Sequence, residues 1–512
     1  MWQRPFAFLA AFLSFTAART LAAPDIRAIA QRHWFAIHTA HFNIFSCGEA
    51  REVSRLGDKL EQFHDAYFLL AGAQAVSSPP VIVLAFPDHP AMEPFLPLYQ
   101  GKPANMDAFF KHGDDENLIV LSLSDLKPDS MRTIFHEYSH LLFRNNEKFW
   151  PIWLCEGMAE IYGTFELIGF EARVGKPIEN HIHYLRQETW MPLKELFSIG
   201  HESPQYNESD RQGVFYSESW LLTHYLMLGP NPAIKSRFGQ LTAFLKQGQK
   251  PEAAFTNAFH CTLTAMEAEL HRYLERDHFE FLPYHLKYDL SPPHAVASRA
   301  VTPVEAWFRL GDELLRIGRL DAAETCFADA QKIAPKSPLP YEGFGLLAAA
   351  RQKHEDALRE LQESLKLGSA SYLAHYIYAF EKYELSADDR GRHQPLGKEG
   401  AAEIRAELQK SITLMPYFAP SQGLLGFFEL VHGEDLALAT RHLKKAVQLD
   451  PANYWYQLQL GQSQYMAHDT EAARQTLQLL RLPFVDPKLR KSAEQILAQI
   501  NNSAAKLVEP KK

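Results

Sequence analysis

The feature that most restricts how this chain can fold is a pattern recurring every 34 residues in its C-terminal part. Trp307, Leu310, Gly311, Ala323, Phe327 and Ala330 return, 34 positions later, as Tyr341, Phe344, Gly345, Ala357, Leu361 and Ser364, with Pro335 closing the first copy. A weaker copy carries Leu408, Ser411 and Pro416, its two halves split by the polar insertion SADDRGRHQPLGKEG. Two further copies carry Ala439, Leu443, Ala446 and Pro451, then Leu460, Gly461, Ala473 and Leu477, again with a 34-residue step from Ala439 to Ala473. Small residues kept in phase let paired helices cross closely, and the large ones fill the grooves between neighbours. An unrelated helical bundle has no reason to keep that phase.

These residue types at this spacing resemble the tetratricopeptide repeat. The resemblance implies an all-α superhelix over residues 304–500 that offers a surface to a protein or peptide partner. KLRKSAEQILAQI reads as a helix capping the stack, and the Lys-rich end, 501–512, as a disordered tail. SPPHAVASRAVTP, at 291–303, combines proline density with no apolar period and reads as a linker.

At 512 residues the chain is too long for one core, so the region before the linker forms its own domain. Residues 1–22 run from Arg4 through an apolar stretch into small residues, the layout of a secretory signal peptide, which predicts a periplasmic or secreted protein. The apolar run is shorter than the roughly 20 residues a bilayer requires, so no stable membrane insertion is expected after its removal. Losing Arg4 and Arg19 takes the formal charge from −9 to −9 − 2 = −11, a poor match for nucleic acid. Cys47, Cys155, Cys261 and Cys326 form no CxxC; buried thiols and a disulfide both remain open.

In the domain at 23–290, WFAIHT, HFNIFS, VIVLAF and LIVLSL read as strands of a small mixed sheet reaching to about 128. Val53, Leu56, Leu60, Phe63 and Tyr67 share one face of an intervening helix. Helical pattern follows from Ser130.

Within that helical part, His136, Glu137 and His140 stand as HEYSH. Histidines at i and i+4 face one side of a helix, so both rings can reach one tetrahedral zinc ion. Glu137, beside the first ligand, is the candidate base for water on that ion. After His140, PIWLCEGMAEIYG opens a second helix at Pro151. Glu156 completes a His₂Glu site with one position left open. Glu160, one turn on, is positioned to accept the second ring N–H of a ligand histidine.

HExxH followed by an EGxAE helix resembles the gluzincins, and especially the bacterial peptidase MA-like proteins. The resemblance covers roughly 30–285. It implies an α+β zincin catalytic domain with one zinc per chain at His136, His140 and Glu156, Glu137 as general base and Glu160 behind the ligands. It also suggests LIVLSL as the edge strand to which a peptide or protein substrate adds. The metzincin pattern fails, because Phe143 and Asn146 replace its Gly and third His.

Tyr216, in GVFYSESWLLTHYL, is the candidate hydrogen-bond donor to the oxyanion, in a helical region resembling the one from which aminopeptidase-like gluzincins supply a tyrosine. Tyr206 is the weaker competitor, and His224 reads equally as a donor or a core residue. His181 and His183 read as solvent-facing, and Cys155 as packing. No GxMEN signature is present, which favours an endopeptidase. There is no GxSxG, GxxxxGK or GxGxxG to support serine-hydrolase or nucleotide chemistry. A catalytically inactive or latent peptidase-like scaffold that binds partners through its repeats is the alternative.

Overall fold

Short runs of branched and aromatic residues build a six-stranded sheet from β1 (Phe35–His38), β2 (Phe42–Ser46), β3 (Val81–Phe86), β4 (Ala108–Lys111), β5 (Leu118–Ser122) and β6 (Ala297–Ala300). The computed structural model describes residues 26–71, 79–286 and 297–508, apart from 100, 105, 107, 114, 125–127, 148, 201–202, 204–208, 389–392, 395, 433–434 and 483–484. The 1–22 segment and Tyr206 therefore lie outside the described residues. The strand order is β6-β1-β2-β3-β5-β4. The central pairs β2–β3 and β3–β5 are parallel; the three outer pairs are antiparallel. Every residue of β3 and β5 is buried, as expected of parallel strands covered on both faces.

Two expectations are corrected here. LIVLSL is not an edge: β5 lies between β3 and β4, and β4, AlaPhePheLys, is the outer strand. Four residues were too short a run to announce themselves as a strand. Nor is 291–303 simply a linker, because β6 pairs with β1 in register from Phe35↔Ala300 to His38↔Ala297. Its residues 298–300 are exposed, so backbone hydrogen bonds hold it and no apolar period marks it.

Contacts divide the described residues into two compact units, one within 1–57, 76–126 and 294–473, the other within 58–75, 127–293 and 474–512. The sheet falls in the first unit with the repeats, whereas the sequence reading grouped it with the helices after 128. The reason is apolar: Trp34, Phe45, Phe86 and Phe95 share one buried cluster with Trp307, Phe308 and Leu310. Such a tertiary contact leaves no trace in local periodicity.

The second unit holds α1 (Pro128–Glu147), α2 (Ile152–Gly163), α3 (Glu179–Gln187) and α4 (Ser209–Leu228). It also has a three-stranded antiparallel sheet, ordered Leu282–His285, Glu171–Val174, Glu166–Ile168, that the helical reading of this region did not anticipate. All twelve residues of α2 are buried, so this helix is enclosed on every side. Gly157 allows that enclosure: a Cβ there would lie 2.4 Å from the Ser219 carbonyl oxygen and 2.1 Å from Thr223 Oγ1. Thus α2 and α4 cross backbone to backbone at the residue after Glu156.

Within the first unit the repeats are four helix pairs, α5 (Pro303–Arg316) with α6 (Leu320–Ile333), α7 (Pro338–Ala350) with α8 (His354–Lys366), α9 (Tyr372–Glu384) with α10 (Lys398–Leu414), and α11 (Ala419–His432) with α12 (Leu436–Leu449), followed by α13 (Tyr454–Met466); α14 (Thr470–Gln478) comes next in the chain. The in-phase small residues sit where large ones press. A Cβ at Gly311 would meet the Phe327 ring at 2.6 Å and one at Gly345 would meet the Leu361 side chain at 2.5 Å; outside that phase, one at Gly343 would meet the Phe327 ring at 2.3 Å. Arg316 on α5 holds both carboxylate oxygens of Asp115, at 2.9 and 3.0 Å, tying the β4–β5 connection to the first repeat. The final helix, α15 (Pro487–Val508), runs on through residues 501–508, where a disordered tail was expected. No described helix is long and apolar enough to cross a membrane.

Replacing Gly343 by Ala forces the Phe327 ring out of its place. The expected cost is about 1–3 kcal/mol, read as a lower calorimetric Tm, and an unchanged Tm would show that the helices do not cross as closely as described.

Candidate metal centre

On α1, His136 and His140 stand one turn apart with ring centroids 5.2 Å from each other. Pro151, in an extended conformation, starts α2 and delivers Glu156 from the second helix. Glu156 Oε2 lies 3.3 Å from His136 Nε2 and 3.5 Å from His140 Nε2. All three donor atoms lie within 4.8 Å of one another. Donors bonded tetrahedrally to zinc at about 2.1 Å stand about 3.4 Å apart. The residues present therefore fit such an ion in both donor type and spacing. Among the described residues no other group of three His, Cys, Asp or Glu meets that condition.

Behind the ligands, Glu160 Oε1 is 3.4 Å from His136 Nδ1, so the ring meets one carboxylate at each nitrogen. Arg132 Nη1 donates to Glu160 Oε2 at 2.7 Å. Burial alone would lower the His136 pKa, but the Glu160 charge and hydrogen bonds to Glu156 and Glu160 raise it well above the usual histidine value. Burial opposes the Glu156 carboxylate in the same way, and the hydrogen bonds from His136 and His140 outweigh it, bringing its pKa down to about 2. Glu160 is likewise held well below the usual range: burial raises it, and His136 and His181 outweigh that.

The other sequence candidates divide. Glu137 is half-buried on α1. Tyr216 is half-buried on α4 with its ring centroid 6.3 Å from that of His136, while its neighbours Phe215, Trp220 and Leu221 are fully buried. His224 is a core residue: Nε2 donates to the Gly175 carbonyl at 2.9 Å, Nδ1 accepts from the Tyr273 hydroxyl at 2.9 Å, and burial brings its pKa down to about 4. Cys155 is buried, with Sγ 4.0 Å from the Trp150 carbonyl oxygen. None of the four cysteines is disulfide-bonded.

His183 is exposed as expected, but His181 is not. Its Nε2 lies 3.4 Å from Glu160 Oε2, and its Nδ1 is 3.0 Å from Ser217 Oγ. The alternating histidines of ENHIHY sit on a helix, not in an open polar stretch, and the helix turns one ring inward and the other out. Arg132 was also missed, although its position one turn before His136 places it on the ligand face of α1.

Residues 304–337 match the tetratricopeptide-repeat family. The C-terminal part of the chain thus carries tetratricopeptide repeats. Solved structures similar to it include YrrB, a TPR protein with an unusual peptide-binding site (15% identity, 37% of this chain and 91% of that one, TM-score 0.31). Others are PilF of Pseudomonas aeruginosa (18%, 40% and 91%, TM-score 0.31) and a TPR protein of Thermus thermophilus (22%, 38% and 99%, TM-score 0.28). No curated protein matches the chain.

A second carboxylate near the site behaves differently. Glu218 on α4 is 2% exposed and accepts one backbone bond, from Met191 N–H at 2.7 Å. Burial, helped by Glu195 and Glu267 and opposed by that bond, raises its pKa from 4.5 to about 8. The folded state therefore holds a proton that the unfolded state has lost, and stability falls as pH rises across that interval, by at most about 5 kcal/mol. Glu218→Gln removes the titration. Its Tm advantage over the wild type should be larger at pH 8.5 than at pH 4.5, by the equivalent of about 2 kcal/mol or more; an advantage independent of pH would contradict the assignment.

Proposed function

We propose that the chain is an exported zinc metallopeptidase that cleaves peptide bonds within a protein or peptide substrate, and that its repeats bind a protein partner. The observation that carries this reading is the convergence of donor atoms from His136, His140 and Glu156, with both histidine–carboxylate separations, 3.3 and 3.5 Å, close to what a tetrahedral ion needs. Zinc held there supplies Lewis acidity, polarising the scissile carbonyl and lowering the pKa of water.

The chain's own groups do the rest. Glu160 accepts from His136 Nδ1, which leaves the Nε2 lone pair directed at the ligand site. Glu137 takes the proton lost by the attacking water and returns it to the leaving nitrogen, so no free amide anion departs. Tyr216 donates its phenolic hydrogen to the carbonyl oxygen as that atom gains charge. Export to the periplasm or beyond rests on the composition of residues 1–22. The repeat match at 304–337 supports a partner-binding role by itself, and so also a scaffold whose peptidase-like unit is latent.

Metal analysis paired with cleavage of a mixed peptide library separates these readings. The active reading expects one zinc per chain, and in Glu137→Gln the same zinc with turnover reduced roughly 10²–10⁴-fold. Full activity in that variant removes Glu137 from the mechanism; stoichiometric zinc without any cleavage favours the scaffold.

A further inference from the structure

Glu160 already has a full positive charge against it in Arg132, at 2.7 Å. His181 is therefore not the sole group set against that buried carboxylate. Yet the His181 ring is 15% exposed and meets groups on two other helices. It reaches Glu160 on α2 through Nε2, at 3.4 Å, and Ser217 on α4 through Nδ1, at 3.0 Å. Trp220, also on α4, packs against it with ring centroids 5.8 Å apart. The helix that carries it is anchored by Ile182 and Leu185, both buried, so the ring's direction is set by packing.

We propose that His181 is a positioning residue for the metal centre: through Glu160 it fixes the orientation of the His136 ring, and through Ser217 it fixes α4 beside Tyr216. The inference rests on the reading of His136, His140 and Glu156 as zinc ligands. The arrangement proposed for the protons runs as a chain. The Ser217 hydroxyl donates to Nδ1, so Nε2 carries the ring hydrogen and directs it at Glu160 Oε2. With Oε2 bonded to Arg132 and faced by His181 at an ion-pair distance of 3.4 Å, Oε1 is left to His136 Nδ1–H. The chain Ser217–His181–Glu160–His136 thus joins the helix bearing the candidate oxyanion donor to the helix bearing the first ligand.

The test uses the full-length protein and zinc alone, with affinity measured by chelator competition and the ligand field read from the d–d absorption of Co²⁺. His181→Gln keeps a hydrogen-bond donor near the Nε2 position; His181→Asn keeps one only near Nδ1. His181→Ala and His181→Asn are expected to bind zinc about 10–100-fold more weakly and to shift the Co²⁺ bands, with His181→Gln within about threefold of the wild type. The Asn and Gln variants, compared at equal helical circular dichroism, keep the comparison valid if the Ala variant does not fold. Wild-type zinc affinity and an unchanged Co²⁺ spectrum in His181→Asn overturn the proposal while leaving the zinc site in place. A wild-type chain that takes up no stoichiometric zinc overturns the zinc site itself, and the role of His181 with it.

Discussion

Holding a carboxylate in a nearly closed interior is costly unless positive or donor groups face it. Glu156 is 3% exposed, on a helix with no exposed residue, and two imidazoles face it from α1. The same burial that would raise its pKa is overcome by those rings, so the group remains anionic far into acid. One carboxylate and two rings turned toward one another define the candidate site, and the other candidate residues are read from that arrangement.

What sets the arrangement is a packing constraint. Gly157 lets α2 approach α4 to backbone contact at the residue next to Glu156. Gly163, whose absent Cβ would lie 3.1 Å from the Arg132 carbonyl oxygen, does the same for α1 at the other end of α2. Two glycines in a helix weaken its intrinsic propensity. Here close helix crossings offset the loss, and Glu156 and His136 sit beside them.

Local pattern made much of this visible in advance. HEYSH and EGMAE announce a two-helix donor set because the i, i+4 spacing and the buried helix are both properties of short segments. The repeats were legible for the same reason, with Gly311 against Phe327 and Gly345 against Leu361 where the 34-residue phase put small against large. What escaped were contacts between distant segments. His181 looked solvent-facing because its partners on α2 and α4 are far away in sequence; Ala297–Ala300 looked like linker because backbone pairing, with no apolar period, places it in the sheet. The sheet's association with the repeats depends on apolar faces that either domain could have used.

The repeats are also partly committed within the chain, since Arg316 and Tyr372 hold Asp115 and Glu116 from the sheet. Any partner must therefore engage other parts of the array. The hydrolytic account, by contrast, turns on one atom-level claim about the second unit. Zinc K-edge X-ray absorption of the purified chain, loaded with one equivalent, tests it directly. The account predicts a shell of nitrogen and oxygen at about 2.0–2.2 Å with two imidazoles, losing one in His140→Ala. A shell with sulfur at about 2.3 Å, or an imidazole count unaltered by that substitution, would contradict it.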